Sequence, residues 1–234
     1  MTHPHPAAPA ASLLDAFPGT DPGTLPVTDH VPEQIRLSRR ELALIFERLI
    51  MAAGCPSGAW PGARDYALET VSVLGPDALD VFEHALVRRE GAAWPLVTPE
   101  GADTVDAGGA PMIFVGNTIA NALLAYFADT PDGTFTVTGL SDVRGHEGLI
   151  VRAVYHGFAL RFAPDQESGA LAITATRTTA DPASEVVTLL RGGVACSGAQ
   201  WWRLYQPSNF ALSEETELSR SHTGVSETLL HYAV

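Results

Sequence analysis

The chain has 234 residues, of which 46% are hydrophobic and 18% charged, a balance that suits one substantial globular domain and is too apolar for a wholly disordered chain. Its 14 basic residues stand against 27 acidic ones, a formal net charge of -13, so nucleic acid is not an expected partner, because binding its phosphates rests on cationic side chains. All 14 basic residues are arginines, which excludes Schiff-base chemistry on a lysine, a lysine-bearing phosphate loop and the lysine of a protein kinase.

Residues 1–33 hold seven of the 17 prolines and little periodic apolar content. Such a stretch cannot bury enough surface to offset its ordering entropy, so it reads as a disordered Pro/Ala-rich tail. A single α+β domain is expected over 34–234. Its first element is a helix opened by Ser38, because Ser38-Arg39-Arg40-Glu41 spells a capping box. Leu42, Ile45, Phe46 and Leu49 follow at helical spacing, and Gly54 stands where a left-handed cap ends a helix. Pro61 suits the first turn of a second helix, with Ala63, Ala67, Leu68 and Val71 inward and a stop at Gly75. Pro76 opens a third, through Leu79, Phe82 and Leu86 to about Arg89. Each of the three has one apolar stripe, so they should pack as a unit.

From Trp94 the pattern changes. Met112 to Val115 reads as a short buried strand, and Asn117 as the cap of a fourth helix carrying Ile119, Leu123, Tyr126 and Phe127. Five β-branched or alternating runs follow: Thr134 to Thr138, Leu149 to Tyr155, Phe158 to Phe162, Leu171 to Arg177 and Val186 to Leu190. Strands in succession without helices between them imply a mainly antiparallel sheet, with the N-terminal helical unit packed against it. The longest apolar stretch, Ala122 to Ala128, is too short to cross a bilayer, so no membrane association is expected. With no cationic, apolar leader at the start, the cytoplasm is the default location.

The eight histidines are scattered without ligand spacing, so neither a metal nor a cofactor is expected. Two cysteines are too few for a disulfide framework. Cys55 follows the negative end of the first helix, where a thiolate is disfavoured. Cys196 lies in a glycine-rich run that lacks the Gly-x-Ser-x-Gly elbow. Gly116-Asn117-Thr118 has too few glycines for a dinucleotide loop and fits plain helix capping better. The most unusual segment is polar and C-terminal, over 206–228. There Arg220 is suited to an anionic group, Glu217 stands one helical turn before it, and His222 is available for proton transfer. A solvated terminal segment accounts for the same composition.

Leu37-Ser38 with Glu41, Ala53-Gly54-x-Pro56-x-Gly58, and near the other end Trp202, Tyr205 and Thr216-Glu217-Leu218-Ser219-Arg220, followed by Gly224, resemble an uncharacterised bacterial family, the domain of unknown function numbered three-seven-two-six. About 60 residues carry the resemblance, and the chain departs from the family by lacking its acidic extreme end. The family has no established activity to carry over. The resemblance draws attention to Glu217, Ser219 and Arg220. Glu217 joins His222 as a candidate catalytic residue and Ser219 joins Arg220 as a candidate ligand-binding one. The expected function is a cytosolic enzyme of hydrolase or lyase type acting on a small polar or anionic metabolite. The alternative is a non-catalytic accessory subunit engaging a protein partner or a second copy.

Overall fold

The computed structural model describes residues 32–87, 94–179 and 192–208. Within them the chain is α+β, a helical unit set against a mainly antiparallel sheet. Helix α1 (Arg39–Ala52) begins with both halves of the capping box formed. Ser38 Oγ accepts from the Glu41 amide at 3.3 Å, and the Ser38 amide donates to the Glu41 carboxylate at 2.7 Å. It ends at Gly54, φ 79°, where the Gly54 and Cys55 amides close on the Met51 and Ile50 carbonyls. Helix α2 (Trp60–Leu74) carries Pro61 in its first turn and buries Ala63, Ala67, Leu68 and Val71. Helix α3 (Asp77–Val87) follows Gly75 and Pro76. The three do pack as a unit, around α2, which touches α1 and α3 and also the two helices that follow.

Two stretches read from the sequence as strands are helical. Met112 to Val115 is the first turn of α4 (Met112–Asp129), capped at Pro111, and Asn117 lies inside that helix rather than at its start. A continuous apolar run fits a buried strand and a buried helix equally well. Here Ile113 and Phe114 enter the core under α1–α3, while Met112, Val115, Ile119, Leu123 and Phe127 enter the core over the sheet. Leu149 to Tyr155 likewise belongs to helix α5 (Gly148–Tyr155). Leu149, Val151 and Ala153 are all buried, which mimics a strand's alternation. The cause is that α5 is covered by α2, by α4 and by the strand after it, and such tertiary packing overrides β propensity. By length and composition α4 also meets the requirement for crossing a membrane, but half of it is buried inside the protein.

The main sheet has five strands, β2 (Thr98–Pro99), β3 (Thr104–Asp106), β4 (Thr134–Thr138), β5 (Phe158–Asp165) and β6 (Ala170–Arg177), in the order β2-β3-β4-β6-β5. Only β3 and β4 pair in parallel; β4, β5 and β6 lie where the alternation places them. A separate ribbon pairs β1 (Gln34–Leu37) with β7 (Val194–Ser197), Ile35 opposite Cys196. Ordered structure therefore starts before Ser38, and Cys196 stands in a buried strand, not a loose glycine run. Helix α6 (Gly198–Ser208) follows β7. Its Leu204 is fully buried and its Trp201, Trp202 and Tyr205 half-buried, so the segment is anchored as its aromatic content requires. The expected strand from Val186 to Leu190 lies outside the described residues.

Candidate functional site

The polar centre of the molecule lies where α2, α4 and α5 meet. Tyr66 on α2 is fully buried, and its hydroxyl donates to the Gly145 carbonyl at 2.8 Å. The ring fits because two facing residues have no side chain. A Cβ at Gly116 of α4 would stand 2.1 Å from the ring, and one at Gly148 of α5 would stand 2.5 Å from Thr70 Oγ1 and 3.0 Å from the ring. Burial pushes the Tyr66 hydroxyl well above its ordinary range, helped by the negative charges of Glu69 and Glu147. Tyr66 is thus a protonated, locked donor that fixes the spacing of three helices.

That spacing brings three functional groups together. Arg152 on α5 donates from Nε to Glu69 on α2 at 2.7 Å, and from Nη1 to the Asn117 side-chain carbonyl on α4 at 2.6 Å. Arg152 and Glu69 keep only 18% and 22% of their side-chain surface exposed. Burial raises the Glu69 carboxyl above the usual carboxylate range. The Arg152 hydrogen bond and charge pull the other way without cancelling it, and Asp65, one turn earlier, adds to the rise. A half-buried carboxyl held above its usual pKa and tied to an arginine is a physically grounded site candidate. Beside it Arg64 joins Glu47 of α1, at 2.7 Å, to Asp65, at 2.9 Å.

Asn117 also lines a cleft of about 230 Å³ between the start of α2 and α4. Pro56, Ala59, Trp94, Leu96 and Phe114 supply apolar walls, while Asn117 and Thr118 supply polar groups. The Trp94 and Phe114 rings stand 5.3 Å apart. The volume falls below the roughly 300–1,000 Å³ of sites for drug-sized ligands, which limits an occupant to a small metabolite.

Two other polar groupings are structural. Asp142, 3% exposed, takes hydrogen bonds from the Arg144 side chain and amide, and its own carbonyl accepts from the Met112 amide at 2.8 Å, tying this loop to the start of α4. Burial works against its ionisation, but the bonds and charge of Arg144 outweigh burial and hold the carboxyl below its ordinary value. The His146 ring packs edge-on to Phe162, with Nδ1 3.0 Å from the Val143 carbonyl. Burial pushes the Cys196 thiol up, which suits a packed side chain rather than a nucleophile. Among the described residues no group of three or more His, Cys, Asp or Glu is placed to hold a metal ion.

The residues singled out in the C-terminal segment, Glu217, Ser219, Arg220 and His222, lie outside the described residues. Glu69, Asn117 and Arg152 were not legible as a site. One signal does point to two of them: Arg152 interrupts the apolar run Leu149 to Tyr155, and Glu69 stands between Leu68 and Val71. A charge on an otherwise inward face requires a partner.

No family model and no curated protein matches the chain. Among solved structures it is similar to malate dehydrogenase from Pyrococcus horikoshii OT3, at 17% identity and a TM-score of 0.40 over 55% of this chain. The aligned part spans 39% of that protein.

Proposed function

We propose that this chain is a cytoplasmic protein that binds a small polar or anionic metabolite in the cleft beside Asn117, with Arg152 holding the negative group. The observation that carries the reading is the double role of Asn117, which lines the cleft and accepts from Arg152 at 2.6 Å. A ligand seated against the Trp94–Phe114 pair meets Asn117 at the cleft wall, and behind Asn117 stands the Arg152 guanidinium, whose planar fork suits a carboxylate or phosphate. Glu69 adds a proton-transfer group beside that cation. A carboxyl held above its ordinary pKa is suited to carry a proton and give it to substrate as a general acid, as hydrolase or lyase chemistry needs. Arg220 names a second arginine for the same ligand, and substitution separates the two.

The test is a thermal-shift screen of the full chain against small carboxylates and phosphate esters. A ligand present at 100 times its Kd stabilises by about 2.7 kcal/mol, which for a chain of this size raises the Tm by roughly 5–10 °C. The reading requires at least one saturable rise that Asn117→Ala and Arg152→Lys diminish. A rise unchanged in both variants places the ligand elsewhere.

A second reading, the accessory subunit, rests on a different feature. An open groove of about 340 Å³ runs between β1 and α6, lined by Pro32, Ile35, Leu37, Trp201 and Trp202. Half-buried tryptophans are common anchors of protein interfaces. Light scattering and native pull-down test it. A monomer that retains no partner, and whose partner-free state is unchanged by Trp202→Ala, removes this reading.

A further inference from the structure

We infer that Glu69 is the built-in occupant of the Arg152 anion site, and that an incoming carboxylate displaces it with uptake of one proton per ligand bound. This rests on the proposed function and gives it a substrate class, small carboxylates, and a linkage.

Arg152 spends Nε on Glu69 and Nη1 on Asn117, so each edge of the guanidinium is already engaged by the protein. A ligand carboxylate needs two parallel donors to bind well. The edge that offers Nε together with Nη2 is the one Glu69 holds. Asn117 accepts as a neutral amide, whereas Glu69 is itself a carboxylate and so mimics the ligand.

The charges around Glu69 decide what happens to it. From α2 it is faced by Asp65, itself engaged by Arg64, and by the neutral hydroxyl of Tyr66. From α5 come Arg152 and, just before the helix, Glu147, whose charge reaches Tyr66. Glu147 Oε2 is buried with no hydrogen-bond partner among the described residues. From α4 comes Asn117, which is uncharged. Glu69 and Asp65 thus act on one another, with Arg152 on the first and Arg64 shared between Asp65 and Glu47, while Glu147, whose Oε2 lies 3.7 Å from His146 Nδ1, acts on Tyr66. Adding the ligand's negative charge while Glu69 stays ionised leaves more carboxylates around Arg152 than it can neutralise. Glu69 is the carboxylate in direct contact with Arg152 and is mostly buried, so it is the group that takes the proton. Burial already raises its carboxyl, which lowers the cost of that proton. The proton comes from solvent, and the charge of the occupied site stays as it was.

The experiment uses the full chain labelled with nitrogen-15 and formate as probe, because formate stays ionised from about pH 5 to pH 9, well above ordinary carboxyl pKa values. The readout is the arginine Nε–H resonance that disappears in Arg152→Lys. The expected result is a saturable shift whose apparent Kd weakens tenfold per pH unit above the Glu69 pKa and levels off below it. In Glu69→Gln, an isostere of the protonated acid, the Kd should become independent of pH and equal the low-pH value of the parent chain. Binding with a flat pH profile in the parent chain, or weaker binding in Glu69→Gln at neutral pH, overturns the displacement while leaving the metabolite site standing. No shift of Arg152 with formate at any pH, in either protein, overturns the displacement, and the metabolite site falls with it when the thermal-shift screen also gives no rise that Arg152→Lys diminishes.

Discussion

Gly116→Ala should destabilise the fold although alanine is the better helix former. Gly116 lies inside α4, where exchange for alanine alone would gain about 1 kcal/mol of helix propensity. The added methyl would stand 2.1 Å from Tyr66 ring carbons, against an optimum of roughly 3.5–4.0 Å, so the ring must retreat by about 1.5 Å. Tyr66 is fully buried and pinned by its 2.8 Å bond to Gly145. Overpacking costs about 1–3 kcal/mol, and losing the pinned bond leaves a buried hydroxyl unpaired at about 1–3 kcal/mol more. Net of propensity, a loss of about 3 kcal/mol is expected. Urea unfolding measures it, and a double-mutant cycle assigns it. Tyr66→Ala alone should cost about 3–5 kcal/mol. The cost of adding Gly116→Ala to that background should fall to zero or reverse, because the obstructing ring is gone. A neutral or stabilising Gly116→Ala, or two costs that simply add, would refute the account of how the three helices are spaced.

Asp142→Asn should lower stability by about 2–4 kcal/mol at neutral pH, since it weakens several charged bonds to Arg144 at a buried site. The Asp142 carboxyl is held below its ordinary value, so its contribution is present above the unfolded-state pKa of about 3.9 and is lost as pH falls through the lower folded value. The gap between the two proteins should therefore close only in strong acid, which melts at stepped pH will show. Glu69 has the opposite sign. Its raised carboxyl favours the fold most below the unfolded pKa of about 4.3, and that advantage fades as pH rises through the folded value. Glu69→Gln should accordingly be no less stable than the parent chain at pH 7 despite the lost ion pair, and a clear drop in urea midpoint would contradict this. Arg220→Ala should leave stability within about 0.5 kcal/mol if Arg220 serves a ligand and not the packing of the fold. If Arg220 clamps the ligand, binding falls by at least about 1.5 kcal/mol in isothermal titration; unchanged binding leaves Arg152 as the anion group.

What could be read directly was local. The capping box at Ser38 and Glu41, the stop at Gly54 and the proline entering α2 involve neighbours a few residues apart, and each is found where the sequence puts it. The alternation of β4 and β6 is legible for the same reason, since one face of each strand packs on the core. What misled was burial on several sides, or shortness. In α4 the apolar residues enter two cores, which blurs the helical period that distinguishes helix from strand, whereas α5 keeps that period but spans only eight residues, too short an apolar run to tell from a strand. The candidate site was illegible for a further reason. Glu69 and Arg152 are 83 residues apart, and Asn117 and Arg152 are 35 apart. Only the packing of three helices on Tyr66 brings them together. The pairing of β1 with β7 across more than 150 residues is hidden in the same way.

The most direct test of the metabolite site is amide chemical-shift mapping of the full chain with whichever small carboxylate or phosphate ester gives the largest thermal shift. The proposal predicts saturable perturbations concentrated at Ala63, Trp94, Asn117, Thr118 and Arg152, with one Kd fitting all five. Perturbations that saturate together but gather around Ile35, Trp201 and Trp202, leaving Asn117 and Arg152 unmoved, would contradict it.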